Sequence, residues 1–117
     1  MPAPRQAKLP ALRSKYGNLL TMYAGRKYHS AVEAHQAMEL DILCKAGKIL
    51  GWIPQPVKRI EVNGVLICKM ILDFEVKIAL GRYYYIEVKG FETAVYKLKL
   101  KLLKACYPDI DLRVVKA

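Results

Sequence analysis

Between Met70 and Gly90 the chain reads MILDFEVKIALGRYYYIEVKG, two runs rich in β-branched and aromatic residues on either side of Gly81-Arg82. Such runs around a glycine turn signal predict two antiparallel strands joined by a short hairpin loop. Side chains alternate along a strand, so Leu72, Phe74, Val76 and Ile78 fall on one face of the first strand and Asp73, Glu75 and Lys77 on the other. On the second strand Tyr84, Ile86 and Val88 share the apolar face, and Glu87 and Lys89 the polar one. An odd-numbered loop with Gly81 in the left-handed conformation sets Asp73 opposite either Glu87 or Lys89, depending on which loop residues stay unpaired. Either register gathers two carboxylates. Like charges directly opposed at roughly 5 Å destabilise a sheet unless something positive lies between them. Mg²⁺ meets that need, because it takes oxygen ligands and is held by one or two carboxylates together with waters and substrate phosphate. The plainer alternative is a solvent-facing strand whose charges alternate.

The surroundings of this stretch resemble the PD-(D/E)XK nuclease superfamily, in which an acid on one strand and a Glu-x-Lys on the next form a metal site for phosphodiester cleavage. The likeness runs from about Lys27 to Val115, through Tyr28-His-Ser-Ala-Val-Glu-Ala34, Gln55-Pro56, Leu72-Asp-Phe74, Ile86-Glu-Val-Lys-Gly90 and the lysine-rich segment after it. Within the superfamily the chain is most similar to small phage and prophage proteins related to Holliday junction resolvases. Leu72 stands where the motif has its naming proline.

The resemblance implies a restriction-endonuclease-like α/β core, in the order α-β-β-β-α-β, with a mixed sheet flanked by helices. It implies catalytic roles for Glu33, Asp73, Glu87 and Lys89. Mg²⁺, replaceable by Mn²⁺, would be held by Asp73, Glu87 and the Val88 carbonyl, with Glu33 binding it directly or through water. The partner would be branched DNA, most specifically a four-way junction, and cutting both strands predicts a two-fold homodimer.

Charge points the same way. Lys and Arg number 20 against 10 Asp and Glu, a formal net charge of +10 on 117 residues, which predicts a polyanionic partner, nucleic acid before anionic membrane. An apolar fraction of 54% and a charged fraction of 26% are globular values. No apolar run approaches a membrane span, and no amino-terminal stretch has a signal-peptide layout, so a cytoplasmic protein is expected, in a bacterial or phage-infected cell by the resemblance. Cys44, Cys68 and Cys106 are isolated thiols without Cys-x-x-Cys spacing, expected to be buried and reduced, and with His29 and His35 alone a zinc site has no pattern to rest on. A length of 117 residues predicts a single core with no separate module for reading bases, leaving DNA shape as the basis of selectivity.

Residues 1–26 hold three prolines and no acid, and Arg5, Lys8, Arg13, Lys15, Arg26 and Lys27 all precede the first acid, Glu33. They read as a basic arm, either a phosphate-binding segment or an unstructured tail, ahead of a domain spanning 27–117. Within the arm, Leu19, Leu20, Met22 and Tyr23 suggest a short helix. Ser30 with Glu33 three positions on satisfies the capping-box pattern of a helix running to about Ala46 and ended by Gly47. Glu33 also leads the stripe Glu33, Ala37, Leu40 and Cys44, and an acid at the edge of a buried face needs a partner or a cation. Arg26, Lys27, Tyr28, His29 and Ser30 lie at this helix start, where a phosphate would be met.

Pro54 and Pro56 confine the segment Ile53–Val62 to an edge strand or a bend, and Asn63-Gly64 predicts a hairpin into the strand carrying Asp73. Past Gly90 a second helix over roughly 93–106 is stopped by Pro108. Its expected buried stripe is Val95, Leu98, Leu102 and Cys106, with Lys97, Lys101 and Lys104 opposite, either merely solvated or placed against a DNA backbone. Lys99 falls among the apolar positions, either snorkelling or pointing at the site. Residues 111–115 complete the core as a last strand.

Overall fold

The computed structural model describes residues 11–13 and 19–116. Among the described residues the fold is mixed α/β, with two helices, and it divides into two compact units at Leu50. Among the described residues no helix is long and apolar enough to cross a membrane.

The amino-terminal unit holds a three-stranded antiparallel sheet, β1 (Ala11–Arg13), β2 (Leu19–Tyr23) and β3 (Arg26–Tyr28), followed by helix α1 (Ala31–Lys45). The expected helix around Leu19–Tyr23 is therefore strand β2. Ala24 and Gly25 both adopt positive φ, 52° and 83°, which closes a two-residue hairpin between Tyr23 and Arg26 and commits the flanking residues to a ladder. The expected arm thus contributes strands, while its residues 1–10 and 14–18 lie outside the described residues. Tyr23 and Tyr28 are buried, and the Tyr23 hydroxyl donates to Asp41 Oδ2 at 2.5 Å. Helix α1 starts as its sequence predicts, with Ser30 Oγ accepting the Glu33 N–H at 3.1 Å. It stops at Gly47, whose φ of 75° carries the chain out of the helix.

The second unit is built around a four-stranded mixed sheet in the order β4 (Gly51–Pro54), β7 (Phe74–Ala79), β8 (Arg82–Lys89) and β9 (Leu112–Lys116). Only the β8–β9 pair is parallel, as its crossover through helix α2 (Ala94–Cys106) requires. A separate two-stranded sheet, β5 (Val57–Val62) and β6 (Val65–Ile71), closes at Asn63-Gly64, both at positive φ as an Asn-Gly hairpin demands.

Two strands of the sequence reading are therefore each split in two. The expected edge strand breaks between β4 and β5 at Gln55, a non-glycine residue at φ 53°, and its partner breaks between β6 and β7 at Leu72-Asp73. Both breaks form one corner. The Gln55 N–H donates to the Asp73 carbonyl at 2.9 Å, and the Leu72 N–H to the Pro56 carbonyl at 3.0 Å, so the ladder turns from one sheet into the other without losing its hydrogen bonds.

The core beneath the corner gathers Ile60, Met70, Leu72, Tyr85, Tyr96 and Leu103. Helix α2 meets it through Tyr96 and Leu103, whereas Val95 and Leu98 are 64% and 59% exposed. The buried stripe is thus rotated from the one expected. Apolar residues cover most of this helix, and the stripe through Tyr96 and Leu103 buries a phenol ring where the alternative offers no aromatic side chain. The three cysteines are free thiols, as expected, but half-buried rather than enclosed.

Candidate active site

The loop between β7 and β8 is Leu80-Gly81, and Ile78 bulges out of the ladder just before it. Together they fix the register that the sequence left open. Phe74 pairs with Ile86, which sets Asp73, one position earlier, across from Glu87 rather than Lys89. Asp73 is held from two directions: its carbonyl accepts the Gln55 N–H, and its Oδ2 accepts the Val88 N–H at 2.6 Å.

Glu87 is 6% exposed, and its Oε1 has no hydrogen-bond partner among the described residues. Burial, foremost, pushes its carboxyl up to about 8; the Asp73 charge and a hydrogen bond shared with Asp73 push the same way, and the Lys89 ammonium opposes them. Glu87 is therefore poorly placed to carry its own charge, and a positive group brought beside Oε1 would reverse that.

Lys89, two residues along β8, lies with its Nζ 4.4 Å from the centre of the Tyr96 ring. That position holds the ammonium by cation–π attraction on the side of the sheet that bears Glu87. The Tyr96 hydroxyl is buried without a partner, and its pKa is pushed up to about 12, by burial first and then by the charges of Glu87, Glu92 and Asp73. It stays protonated at neutral pH and can donate. Glu87, Lys89, Thr93, Tyr96 and Lys99 line one pocket of about 250 Å³. Lys99 therefore points at the site, the second of the two placements its sequence position allowed. The rotation of α2 explains this, because turning Tyr96 and Leu103 inward carries Lys99, which lies between them in the chain, to the edge of the buried face.

Tyr96 is the residue that sequence reasoning missed. Its signal was the three-residue spacing to Lys99 on one helix face. Gln55, whose role the sequence left open, acts through its main chain at the corner.

The remaining expected site residues fall as follows. Glu33 sits half-buried in the first turn of α1, in the amino-terminal unit, where Ser30 caps its N–H. Arg26, Lys27 and His29 are exposed, Ser30 is half-buried with its hydroxyl engaged in the cap, and Tyr28 is buried under the Arg26 guanidinium, 5.8 Å from its ring. Lys97, Lys101 and Lys104 are exposed on α2.

The donor set fits a divalent cation in one respect that the geometry tests. Glu87 Oε1 is a buried carboxylate oxygen with nothing bonded to it, and a second carboxylate stands beside it. Two carboxylates suffice for Mg²⁺. Among the described residues no group of three or more His, Cys, Asp and Glu side chains is gathered, so the acids brought together are this pair.

A family model described as "Protein of unknown function (DUF1064)" matches residues 13–117, and the chain belongs to that family. No curated protein and no solved structure matches it.

Proposed function

We propose that this member of the DUF1064 family is a metal-dependent, structure-selective DNA endonuclease, a Holliday junction resolvase that hydrolyses phosphodiester bonds in branched DNA. The observation that carries the reading is the buried Glu87 carboxyl, its Oε1 without a partner, set against Asp73 with Lys89 alongside. A paired acid of this kind costs stability unless it serves a charge that arrives from outside. The mixed α/β fold, with a mixed sheet and the order α1, two bent strands, β8, α2, β9, is compatible with the core that the resemblance implies.

Asp73, Glu87 and the Val88 carbonyl would hold Mg²⁺ or Mn²⁺; Glu33, which the resemblance also names, belongs to the amino-terminal unit. When bound, the cation polarises the phosphate and lowers the pKa of the attacking water. The chain's own groups then act in three ways. The Val88 N–H fixes the orientation of the Asp73 carboxylate. The Tyr96 ring holds the Lys89 ammonium, which orients the water or stabilises charge on the pentacovalent transition state. The net charge of +10 attracts the DNA backbone, with Arg26, Lys27, Lys97, Lys101 and Lys104 among its exposed contributors and the exposed His29 beside the first two. A two-fold dimer supplies the paired sites that symmetric cutting requires.

The test is cleavage of labelled four-way junction, fork, linear duplex and single strand, each with Mg²⁺ or with EDTA. Wild type should cut the junction only with the metal, and Asp73→Asn and Lys89→Ala should bind it without cutting. Preference for linear duplex would make the protein a nicking or restriction-type nuclease. Salt-sensitive binding that ignores both Mg²⁺ and Asp73→Asn would make it a non-catalytic nucleic-acid-binding domain.

A further inference from the structure

Lys99 differs from the other lysines of α2. Lys97, Lys101 and Lys104 are exposed, whereas Lys99 is half-buried, forms no ion pair among the described residues and lines the pocket that holds Glu87 and Lys89. Withdrawing an ammonium partly from water without a carboxylate partner is unfavourable, and an incoming anion offsets that cost.

The rest of the pocket suits the same ligand. Thr93 caps α2, its Oγ1 accepting the Tyr96 N–H at 3.1 Å, and no acid occupies the first turn. The amides of Ala94 and Val95 lie in that turn, where a helix supplies no acceptors of its own and its dipole favours negative charge. A second observation is independent of the helix end. Tyr96, 7% exposed, lines the pocket and carries a hydroxyl donor with no hydrogen-bond partner. At about 250 Å³ the space is smaller than the roughly 300 Å³ at which pockets for drug-sized molecules begin, which suits a single phosphate group.

We propose that the pocket at the amino-terminal end of α2 is a phosphate seat anchored by Lys99, so that a DNA phosphate is gripped between two ammonium groups carried on different elements, Lys89 on β8 and Lys99 on α2. Which phosphate it holds, the one beside the bond to be cut, rests on the nuclease reading; the seat itself does not need turnover to be seen.

Two measurements test it. Inorganic phosphate titrated into the full chain, followed by amide NMR, should shift Ala94, Val95 and Tyr96 saturably in wild type and in Lys48→Met, a charge-matched change at an exposed site. Those shifts should vanish in Lys99→Met and persist in Lys99→Arg. With four-way junction in EDTA, Lys99→Met should lower the slope of log affinity against log salt by about 0.9, the share of one phosphate. In Mg²⁺ its cleavage should fall by about tenfold to a hundredfold, the size of a lost charge-assisted hydrogen bond. If the methionine variant does not fold, Lys99→Gln carries the same expectations. Saturable phosphate shifts in wild type without cleavage of any DNA would refute the nuclease and leave the seat standing. Phosphate shifts in Lys99→Met equal to those of wild type overturn the seat, whether or not the protein cuts DNA.

Discussion

Glu87→Gln is the perturbation that bears most directly on the carboxylate pair. In the folded protein the Glu87 carboxyl rises from an ordinary 4.5 to about 8, so between those values the native state keeps a proton that the unfolded chain has released. The direction follows from proton linkage: stability falls as pH rises through this window, is unaffected below about 4.5, and carries the full penalty above about 8. At about 1.36 kcal/mol per pH unit, the whole rise corresponds to a cost on the order of 5 kcal/mol. That is a large fraction of the roughly 5–15 kcal/mol by which domains are stable. Glutamine keeps the shape and cannot ionise. Urea unfolding in EDTA from pH 5 to 8, read by Trp52, the single tryptophan, on β4 of the same unit, should show wild type losing several kcal/mol across the range. Glu87→Gln should show a slope shallower by up to about 1.4 kcal/mol per pH unit and a more stable protein at pH 8. Mg²⁺ should restore wild type more at pH 8 than at pH 5, since protons and metal compete for the same oxygens, and should do little for the variant. Parallel pH profiles for the two proteins in EDTA would refute the reasoning.

Two further outcomes test the frame around the site. Gln55→Pro should cost about 3 kcal/mol or more and uncouple Asp73, because proline cannot reach φ 53° and deletes the N–H given to the Asp73 carbonyl, whereas Gln55→Ala keeps that donor and should cost little, as thermal melts of the two would show. Leu103→Ala, at a position with no exposed surface, should cost about 2–5 kcal/mol by urea unfolding and allow α2 to loosen against the Ile60–Tyr85 core, lowering protection of the Tyr96 amide from hydrogen exchange.

What the sequence disclosed followed from strictly local chemistry. Asn63-Gly64 at the hairpin and Gly47 at the helix end require a backbone conformation that few residues supply, Ser30 at the helix cap supplies a side-chain acceptor, and the fold uses them as read. Alternation along β7 and β8 was enough to bring Asp73 and Glu87 together, although the choice between Glu87 and Lys89 needed the Ile78 bulge, which no residue type advertises. The misreadings come from tertiary context. Helix α2 is apolar on too many sides for periodicity to choose its inner face, so the sequence alone discloses neither the buried Tyr96 nor the placement of Lys99. Leu19–Tyr23 has side chains compatible with helix or strand, and it was the Ala24-Gly25 turn that decided. The corner at Gln55 places a glutamine where glycine would be expected, and composition gives no warning of it.

Asp73 is fastened by two amide hydrogens, one from Gln55 and one from Val88, and neither belongs to a side chain. Any amino acid other than proline keeps the N–H at those two positions, although the φ of 53° at Gln55 disfavours β-branched ones. The spot most sensitive to displacement therefore depends on features of the polypeptide that ordinary substitution leaves intact. Most side chains around the bend can therefore change while the main chain goes on presenting an acid at this place.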